Sequence, residues 1–488
     1  MAAVMLQGTG SDVGKSVLVA GLCRALSNRG LSVRPFKPQN MATNAAVTAD
    51  GGEIGRAQAL QALAARAEPV TDMNPVLIKP HADCSAQLVV NGRVRGTLDA
   101  KDFRQARAPL LEDVLAAYRR LAAVADIVVV EGAGSPAEIN LRAGDIANMG
   151  FARAADVPVL LVGDIDRGGV IAALVGTRTV LDTCDAAMIQ GFIINKFRGD
   201  ATLFNDGYRQ IESLSGWPGF GVVPWLAAAA RLPSEDAVSL ERPLAGARGK
   251  LVIACPITPH IANFDDLDPL KLEPEVDLRM IPPGQPIPAE AVLVILAGSK
   301  ATVADLAALR REGWDIDIRA HHRRGGRVLG LCGGYQMLGR SVADPAGREG
   351  APGIAEGLGL LDVETVLTSE KTLEHVHGVA FDAPFTGYEM HMGRTDGPDR
   401  QRAVSRFADG RSDGASSPDG RVAGTYIHGL FGLAEQRAAW LAKWNVEGAG
   451  VEHHISVDAA LDEIANQLEI HLDIDAMIRI ARAADARS

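Results

Sequence analysis

Along the chain, short apolar runs alternate with longer stretches in which apolar residues return every three or four positions. The apolar runs Ala2–Leu6, Leu31–Lys37, Asp126–Glu131, Val157–Val162, Met188–Asn195 and Gly219–Val223 occupy the first half. Leu251–Ala254, Ala291–Leu296 and Arg327–Leu331 occupy the second. Each reads as a strand buried on both faces. Val17–Leu26, Glu53–Arg66 and Phe103–Ala122 carry the helical period. Gly30 is placed to stop the first helix and Pro38 to end the second strand. Gln87–Gly96 reads as a hairpin around Asn91-Gly92. Strands alternating with helices predict an α/β fold in which parallel sheets are covered on both faces.

A chain of 488 residues exceeds what one core can hold. The pattern predicts a first domain, a doubly wound parallel sheet, over residues 1–230. Residues 231–250 mix Ala, Pro, Glu, Arg and Gly without a period and read as a linker. A second α/β domain is expected over 251–445. A helical tail over 446–488, with one or two amphipathic helices in Val457–Ala484, is expected to pack on that second domain. Ala408–Gly420, rich in Gly, Ser and Asp, reads as a surface loop.

Composition narrows the partners. The net charge is −11, with no basic block long enough for a nucleic-acid face. No run is long and apolar enough to span a bilayer, and the N-terminus has no signal-peptide pattern. The five cysteines, Cys23, Cys84, Cys184, Cys255 and Cys332, are scattered and form no C-x-x-C. A reducing cytoplasm is expected, without disulfides or a zinc site.

Two stretches carry chemistry. The first is Gly8-Thr9-Gly10-Ser11-Asp12-Val13-Gly14-Lys15-Ser16, between the first strand and the first helix. Backbone N–H groups in such a turn cradle phosphate, Lys15 reaches the outer phosphates, and the Ser16 hydroxyl is a Mg²⁺ ligand. The glycine spacing is one residue wider than in the usual phosphate loop. Glu131 ends a neighbouring strand before Gly132-Ala133-Gly134, where an acid usually faces Mg²⁺. Asn195-Lys196 is either a purine contact or a plain turn.

The second stretch is Arg327–Gly339, where a buried strand runs into Cys332, glycines follow and a helix starts. That is the layout of a nucleophile elbow with a sulfur nucleophile. The Gly333 N–H is then placed for an oxyanion hole. A thiolate nucleophile needs a base. His428 is the choice, because it ends an apolar run bounded by glycines, Gly424–Phe431, and His391, in Gly387–Gly393, is the other contender.

Gly-x-Cys-Gly-Gly-Tyr-Gln with a downstream His-Gly-Leu-Phe resembles the class I glutamine amidotransferase domain. The widened phosphate loop resembles dethiobiotin-synthetase-like ATPases. The two in this order, with Phe36–Ala42, Glu53–Gln58 and Glu131–Pro136, resemble the cobyric acid synthase family of cobalamin biosynthesis. The resemblance covers nearly the whole chain. It implies that ATP and Mg²⁺ activate the b, d, e and g carboxylates of (adenosyl)cobyrinic acid a,c-diamide, and that ammonia from glutamine forms the amides. It assigns Cys332 as nucleophile and His428 as its base. Gly298 joins Gly333 as oxyanion donor, and Tyr335 and Gln336 bind glutamine. Leu430 stands where many relatives of this class place a histidine-orienting Glu, so the orienting group is open, with Glu389 as candidate. Arg56, Arg142, Arg167 and Arg198 either meet the carboxylates of the corrinoid or are solvated. Cobalt arrives inside the substrate, and no further metal site is expected. A homo-oligomer is left open. The rival assignments are the a,c-diamide synthase, a lipid II amidating ligase, a nucleotide-switch ATPase and an inactive glutaminase-like binding module.

Overall fold

The structure, a computed structural model, describes residues 2–82, 85–99, 108–233, 249–349 and 352–485. Most of the linker expectation (234–248), the start of the helix expected from Phe103, and Cys84 lie outside the described residues.

The first unit is built on six parallel strands: β1 (Ala3–Gly8), β2 (Val33–Phe36), β3 (Ile127–Glu131), β4 (Val159–Asp164), β5 (Ile189–Phe197) and β6 (Gly219–Pro224), in the order β6-β5-β4-β1-β3-β2. β1, β3 and β4 are buried along their whole length, as their continuous apolar runs require. The chain fills the β3–β2 side of β1 before it crosses to β4. The carboxyl end of β1 is therefore a topological switch point, the place where ligands enter such sheets. The turn Gly8–Ser16 leaves the sheet there and leads into α1 (Lys15–Asn28). Between β2 and β3 the chain adds a small sheet of Gln39–Met41, Val76–Ala82, Ser85–Val90 and Arg93–Asp99, with the expected Asn91-Gly92 turn.

The second unit has its own mostly parallel sheet. Its strands are β7 (Leu251–Pro256), β8 (Val276–Ile281), β9 (Leu293–Leu296) and β10 (Arg327–Leu331). A long hairpin of β11 (Glu364–Ala380) and β12 (Ala383–Asp396) follows, then β13 (Ala415–Ser416), β14 (Val422–Thr425) and β15 (Ile427–His428). The sheet order is β8-β7-β9-β10-β14-β13, and β12 pairs with β15 in a separate antiparallel sheet. The helix α2 (Gly333–Leu338) follows β10 at once. The two units meet where Ala42, Ala45, Val47, Leu77 and Val89 of the small sheet pack on Tyr388 and Met390 of β12. Glu53 at this boundary pairs with Lys371 at 2.5 Å and with the buried Lys79.

Two expectations are corrected. The tail does form two helices, α3 (His453–His471) and α4 (Ile474–Asp485), but they pack on the first unit. Val457, Leu461, Ile464 and Leu468 share a core with Leu18, Val19 and Leu22 of α1. Gly21 permits the approach, because a Cβ there would lie 2.6 Å from Ile464 Cγ2. The buried Arg24 binds Asp458 and Asp462 across the same contact. The physical reason lies in α1, whose residues 18–26 are all buried; a helix buried on every side needs a cover on its outer side as well as on the sheet side. Ala408–Gly420 is not simply a surface loop. It carries β13, and the buried Asp413 accepts hydrogen bonds from Thr425 Oγ1 and from Tyr426 N. Among the described residues no helix is long and apolar enough to cross a membrane.

Candidate active site

At the switch point the turn is drawn tight around its own lysine. Gly14 adopts φ +92°, and a Cβ there would sit 2.4 Å from Asn195 Nδ2, so this position takes glycine. Lys15 Nζ donates to Gly10 O at 3.1 Å and to Gly134 O at 3.2 Å, the second from the loop after β3. Ser16 Oγ donates to Glu131 Oε1 at 2.8 Å, and Lys37 Nζ reaches the same oxygen at 2.8 Å. Gln61 Nε2 donates to Oε2. Burial would push the Glu131 carboxyl up, but the Lys37 ammonium and the hydrogen bonds from Lys37, Gln61 and Ser16 outweigh it and hold the group below the usual carboxylate range. Asn195 Nδ2 donates to Val13 O at 2.8 Å, and Lys196 Nζ binds Asp164 at 2.8 Å and Asp12 O. This pair braces the turn.

A cavity of about 880 Å³ opens over the turn, lined by Ser11, Asp12, Lys15, Ser16, Lys37 and Glu131, with Lys271 and Met280 of the second unit at its edge. A hydroxyl in contact with an ionised carboxylate at a phosphate-binding turn is the hard-oxygen chemistry that Mg²⁺ takes, so Ser16 and Glu131 fit the ion. Of the four arginines offered to an acidic substrate, Arg142 and Arg167 line this cavity. Arg142 is paired with Asp185 at 2.5 Å and Arg167 with Asp12 at 3.2 Å. Arg198 pairs with Asp166 at 2.6 Å and lies 3.6 Å over the Trp225 ring. Arg56 points the other way, to Asp265 of the second unit at 2.6 Å.

The second site starts from backbone strain. Cys332 has φ +49° and ψ −107°, a conformation non-glycine residues rarely hold. Its N–H donates to Thr425 O at 2.8 Å, which ties the elbow to β14. A Cβ on Gly334 would lie 2.0 Å from Leu296 O, so the second position after Cys332 needs glycine. A cavity of about 520 Å³ brings together Cys332, His428, Gly298 and Gln336, and residues of the first unit's hairpin, Gly92 to Thr97, form part of its wall. A Cβ on Gly298 would be 3.6 Å from His428 Cε1.

His428 is the histidine placed beside Cys332, and its orienting group is Asp266. Nδ1 lies 2.7 Å from Asp266 Oδ2, and Asp266 Oδ1 accepts from Gly429 N at 2.7 Å. The Tyr388 ring stacks on the imidazole at 5.1 Å, and Asn263 Nδ2 approaches Nε2 at 3.2 Å. Burial opposes the charged ring, but the Asp266 carboxylate beside it prevails, and the Cys332 side chain adds to it. The pKa is pushed up to about 10.

Glu389 is not the orienting acid. Tyr388 pairs with His428 across the β12–β15 ladder and Glu389 with Ile427, and alternation along a strand sends the two side chains to opposite faces. Glu389 faces His391 at 3.8 Å and Arg411 at 3.5 Å. His391 also lines the cavity, but its ring is stacked on Tyr426 at 3.7 Å. Tyr335 is not placed to bind glutamine either. Its ring packs on Tyr426 at 5.2 Å, beneath Gly424 and away from the cavity, because α2 turns it into the core. Gln336 is at the cavity, held by Thr302 Oγ1 at 3.0 Å and Met392 O at 3.1 Å.

Glu349 also faces this cavity and was missed from the sequence. Its carboxylate accepts from Val303 N at 3.3 Å and Thr302 Oγ1 at 3.4 Å, with no cation in ion-pair reach among the described residues. Burial pushes it up to about 7. Asp266 and Glu349 lacked a sequence signal because each is separated from Cys332 by chain that only folding brings back.

Comparison with known proteins agrees with both halves. Residues 4–240 match the CobQ/CobB/MinD/ParA nucleotide binding domain, and residues 252–436 the CobB/CobQ-like glutamine amidotransferase domain. The chain is 72% identical over 483 residues to the cobyric acid synthase of Rhizorhabdus wittichii, covering 99% of this chain and 100% of that one. It is 72% identical over 479 residues to the cobyric acid synthase of Novosphingobium aromaticivorans, covering 98% of each. The chain belongs to the cobyric acid synthase family. The two matched domains correspond to the two units, and the cysteine elbow and the Gly8–Ser16 turn lie one in each.

Proposed function

We propose that this protein is a carbon–nitrogen ligase that uses ATP and glutamine to convert the b, d, e and g carboxylates of (adenosyl)cobyrinic acid a,c-diamide into amides, giving (adenosyl)cobyric acid. One observation carries this reading: a strained cysteine beside an Asp-oriented histidine shares a chain with a phosphate-binding turn of lysine and a serine–glutamate pair. The full-length likeness to cobyric acid synthases names the substrate class.

A carboxylate does not accept an amine, because oxide would have to leave. Transfer of the terminal phosphoryl group of ATP gives an acyl phosphate, which does accept one. Lys15 and the N–H groups of Gly8–Ser16 stabilise the phosphate charge that develops, and Lys37 holds Glu131 ionised. Ser16 and Glu131 would hold Mg²⁺, which would supply further charge neutralisation at the phosphates. In the second unit the Cys332 sulfur attacks the glutamine amide. The oxyanion meets the N–H groups of Gly333 and Gly298, the protonated His428 gives its proton to the departing ammonia, and water then releases glutamate from the thioester. Glu349 takes the α-ammonium of glutamine, which supplies the cation its half-buried carboxylate lacks. Ammonia stays neutral, and so nucleophilic, as long as it does not meet bulk water. The supply of ATP and glutamine places the reaction in the cytoplasm.

The test is mass spectrometry of cobyrinic acid a,c-diamide incubated with the protein, ATP, Mg²⁺ and glutamine. Each amide replaces OH by NH₂, so successive products are countable. Amidation at b, d, e and g is expected. Amidation only of a and c on the unamidated acid identifies a diamide synthase instead, and ATP turnover indifferent to glutamine and to Cys332→Ala identifies a switch ATPase.

A further inference from the structure

Arg56 opens the helix Arg56–Ala64 in the first unit, and its guanidinium crosses to the second unit, 2.6 Å from the fully buried carboxylate of Asp265. Asp265 lies in the 3₁₀ segment Phe264–Leu272, which also carries Asp266 and Asp268. The charged and titratable groups facing this carboxylate come from several elements. Asp266 and Asp268 belong to its own segment, Arg56 to the first unit and His428 to β15. Tyr388 of β12 and His453 of the tail face the Arg56–Asp265 pair. Each of the other two aspartates has its own cation: Asp266 is held by His428 at 2.7 Å and Asp268 by Lys271 at 2.5 Å. Asp265 has Arg56. The first unit grips the same segment a second time through Asn44 Oδ1, which accepts from Asn263 N at 2.6 Å.

We propose that Arg56 is a positioning residue for glutamine hydrolysis, lent by the nucleotide-binding unit: by neutralising Asp265 it keeps Asp266 on Nδ1 of His428. The proposal rests on the reading of Cys332 and His428 as the glutaminase pair. Like charges on adjacent buried residues repel, and a buried carboxylate without a cation either takes up a proton or pulls its segment toward water. Both responses reach Asp266 next to it. A protonated Asp265 is a new donor beside the Asp266 carboxylate and competes with His428 for it; movement of the segment breaks the 2.7 Å contact outright. Burial pushes Asp265 up to about 6 even with Arg56 in place, so the loss of that cation moves its protonation into the neutral range. The helix that Arg56 begins also carries Gln61, which binds Glu131 and Ser16 O, so one short element touches both sites.

The test uses the full-length chain and compares Arg56→Gln, Arg56→Lys and the double variant Arg56→Gln/Asp265→Asn. Each is assayed for glutamine hydrolysis across pH and for amidation with ammonium salt as nitrogen source. Arg56→Gln is expected to lower glutaminase kcat about tenfold to a hundredfold, with the glutamine KM within about twofold. Its pH profile should show the Asp265 ionisation displaced upward from about 6, where the parent has it, while amidation from ammonia is unchanged. Arg56→Lys and the double variant are expected to recover kcat to within about threefold of the parent, since each leaves Asp265 paired or uncharged. Should Arg56→Gln not fold, those two variants carry the test. Loss of glutaminase in both, with amidation from ammonia intact, overturns the proposal. It is likewise overturned if Arg56→Gln leaves glutaminase unchanged and raises the corrinoid KM, since Arg56 then serves the substrate. A parent protein whose glutamine hydrolysis is absent, or survives Cys332→Ala, defeats the underlying reading instead.

Discussion

The two sites meet opposite demands, and their construction differs accordingly. The phosphate-binding turn sits under the larger cavity, about 880 Å³ against about 520 Å³, and its charged side chains hold one another: Lys15 on backbone oxygens, Ser16 and Lys37 on Glu131. Those contacts are exchangeable for phosphate oxygens and a cation. The cysteine elbow is held by contacts among its own residues. Cys332 is strained, His428 is 1% exposed, and Asp266 is fixed by both oxygens. Spreading the charge of a bound phosphate tolerates adjustment. Attack on an amide carbon needs one geometry set in advance.

Substitutions can break or sharpen that contrast. The largest effect is expected from Cys332→Ala, which should remove glutamine hydrolysis by about 10⁴-fold or more while amidation from ammonia persists. Glutamate release and product masses check both halves of the statement. Asp266→Asn should lower glutaminase kcat by roughly 10³-fold, since it spoils the tautomer and orientation of His428. The same pair sets a pH dependence of stability. His428 is raised from its ordinary 6.5 to about 10, so the contribution of the pair is complete below pH 6.5 and is lost as pH climbs toward 10. Its size is on the order of a few kcal/mol. Thermal unfolding of the parent should lose stability across that window, and Asp266→Asn should flatten the loss. Lys15→Ala is expected to cut amidation by about a hundredfold from either nitrogen source and to leave Cys332-dependent glutamine hydrolysis in place. If it abolishes hydrolysis as well, the two sites are not separable in the way their construction implies. The smallest change is expected from Tyr335→Phe. The buried Tyr335 hydroxyl has no hydrogen-bond partner among the described residues, so its removal should shift glutamine KM by less than about twofold and leave stability unchanged or slightly higher.

Much of the molecule is legible before folding. The apolar runs that predict parallel strands are the strands observed, and Asn91-Gly92 marks a real hairpin. Gly14, Lys15 and Ser16 are neighbours in sequence and act as neighbours in space. The elbow is legible for the same reason, since the strand, Cys332 and its glycines form one local turn. The tail is a different case. Its helices are written in their own period, but their resting place depends on which surface of the fold still needs cover. The mostly apolar α1, with its run of residues 17–26, held that information, though nothing in the tail itself pointed to it.

The sequence by itself determined the elements that depend on neighbours along the chain: strand runs, the phosphate-binding turn, the strained cysteine and the family. Only the tertiary structure decided which acid lies on His428, that Tyr335 belongs to the core, that Glu349 faces the Cys332 cavity, and that Arg56 pairs with Asp265 of the far unit. Turn geometry and periodicity are set over a few residues, and so are visible in the string. Ion pairs such as His428 with Asp266, 162 residues apart, are chosen by burial and by strand register, which exist only once the second unit has folded.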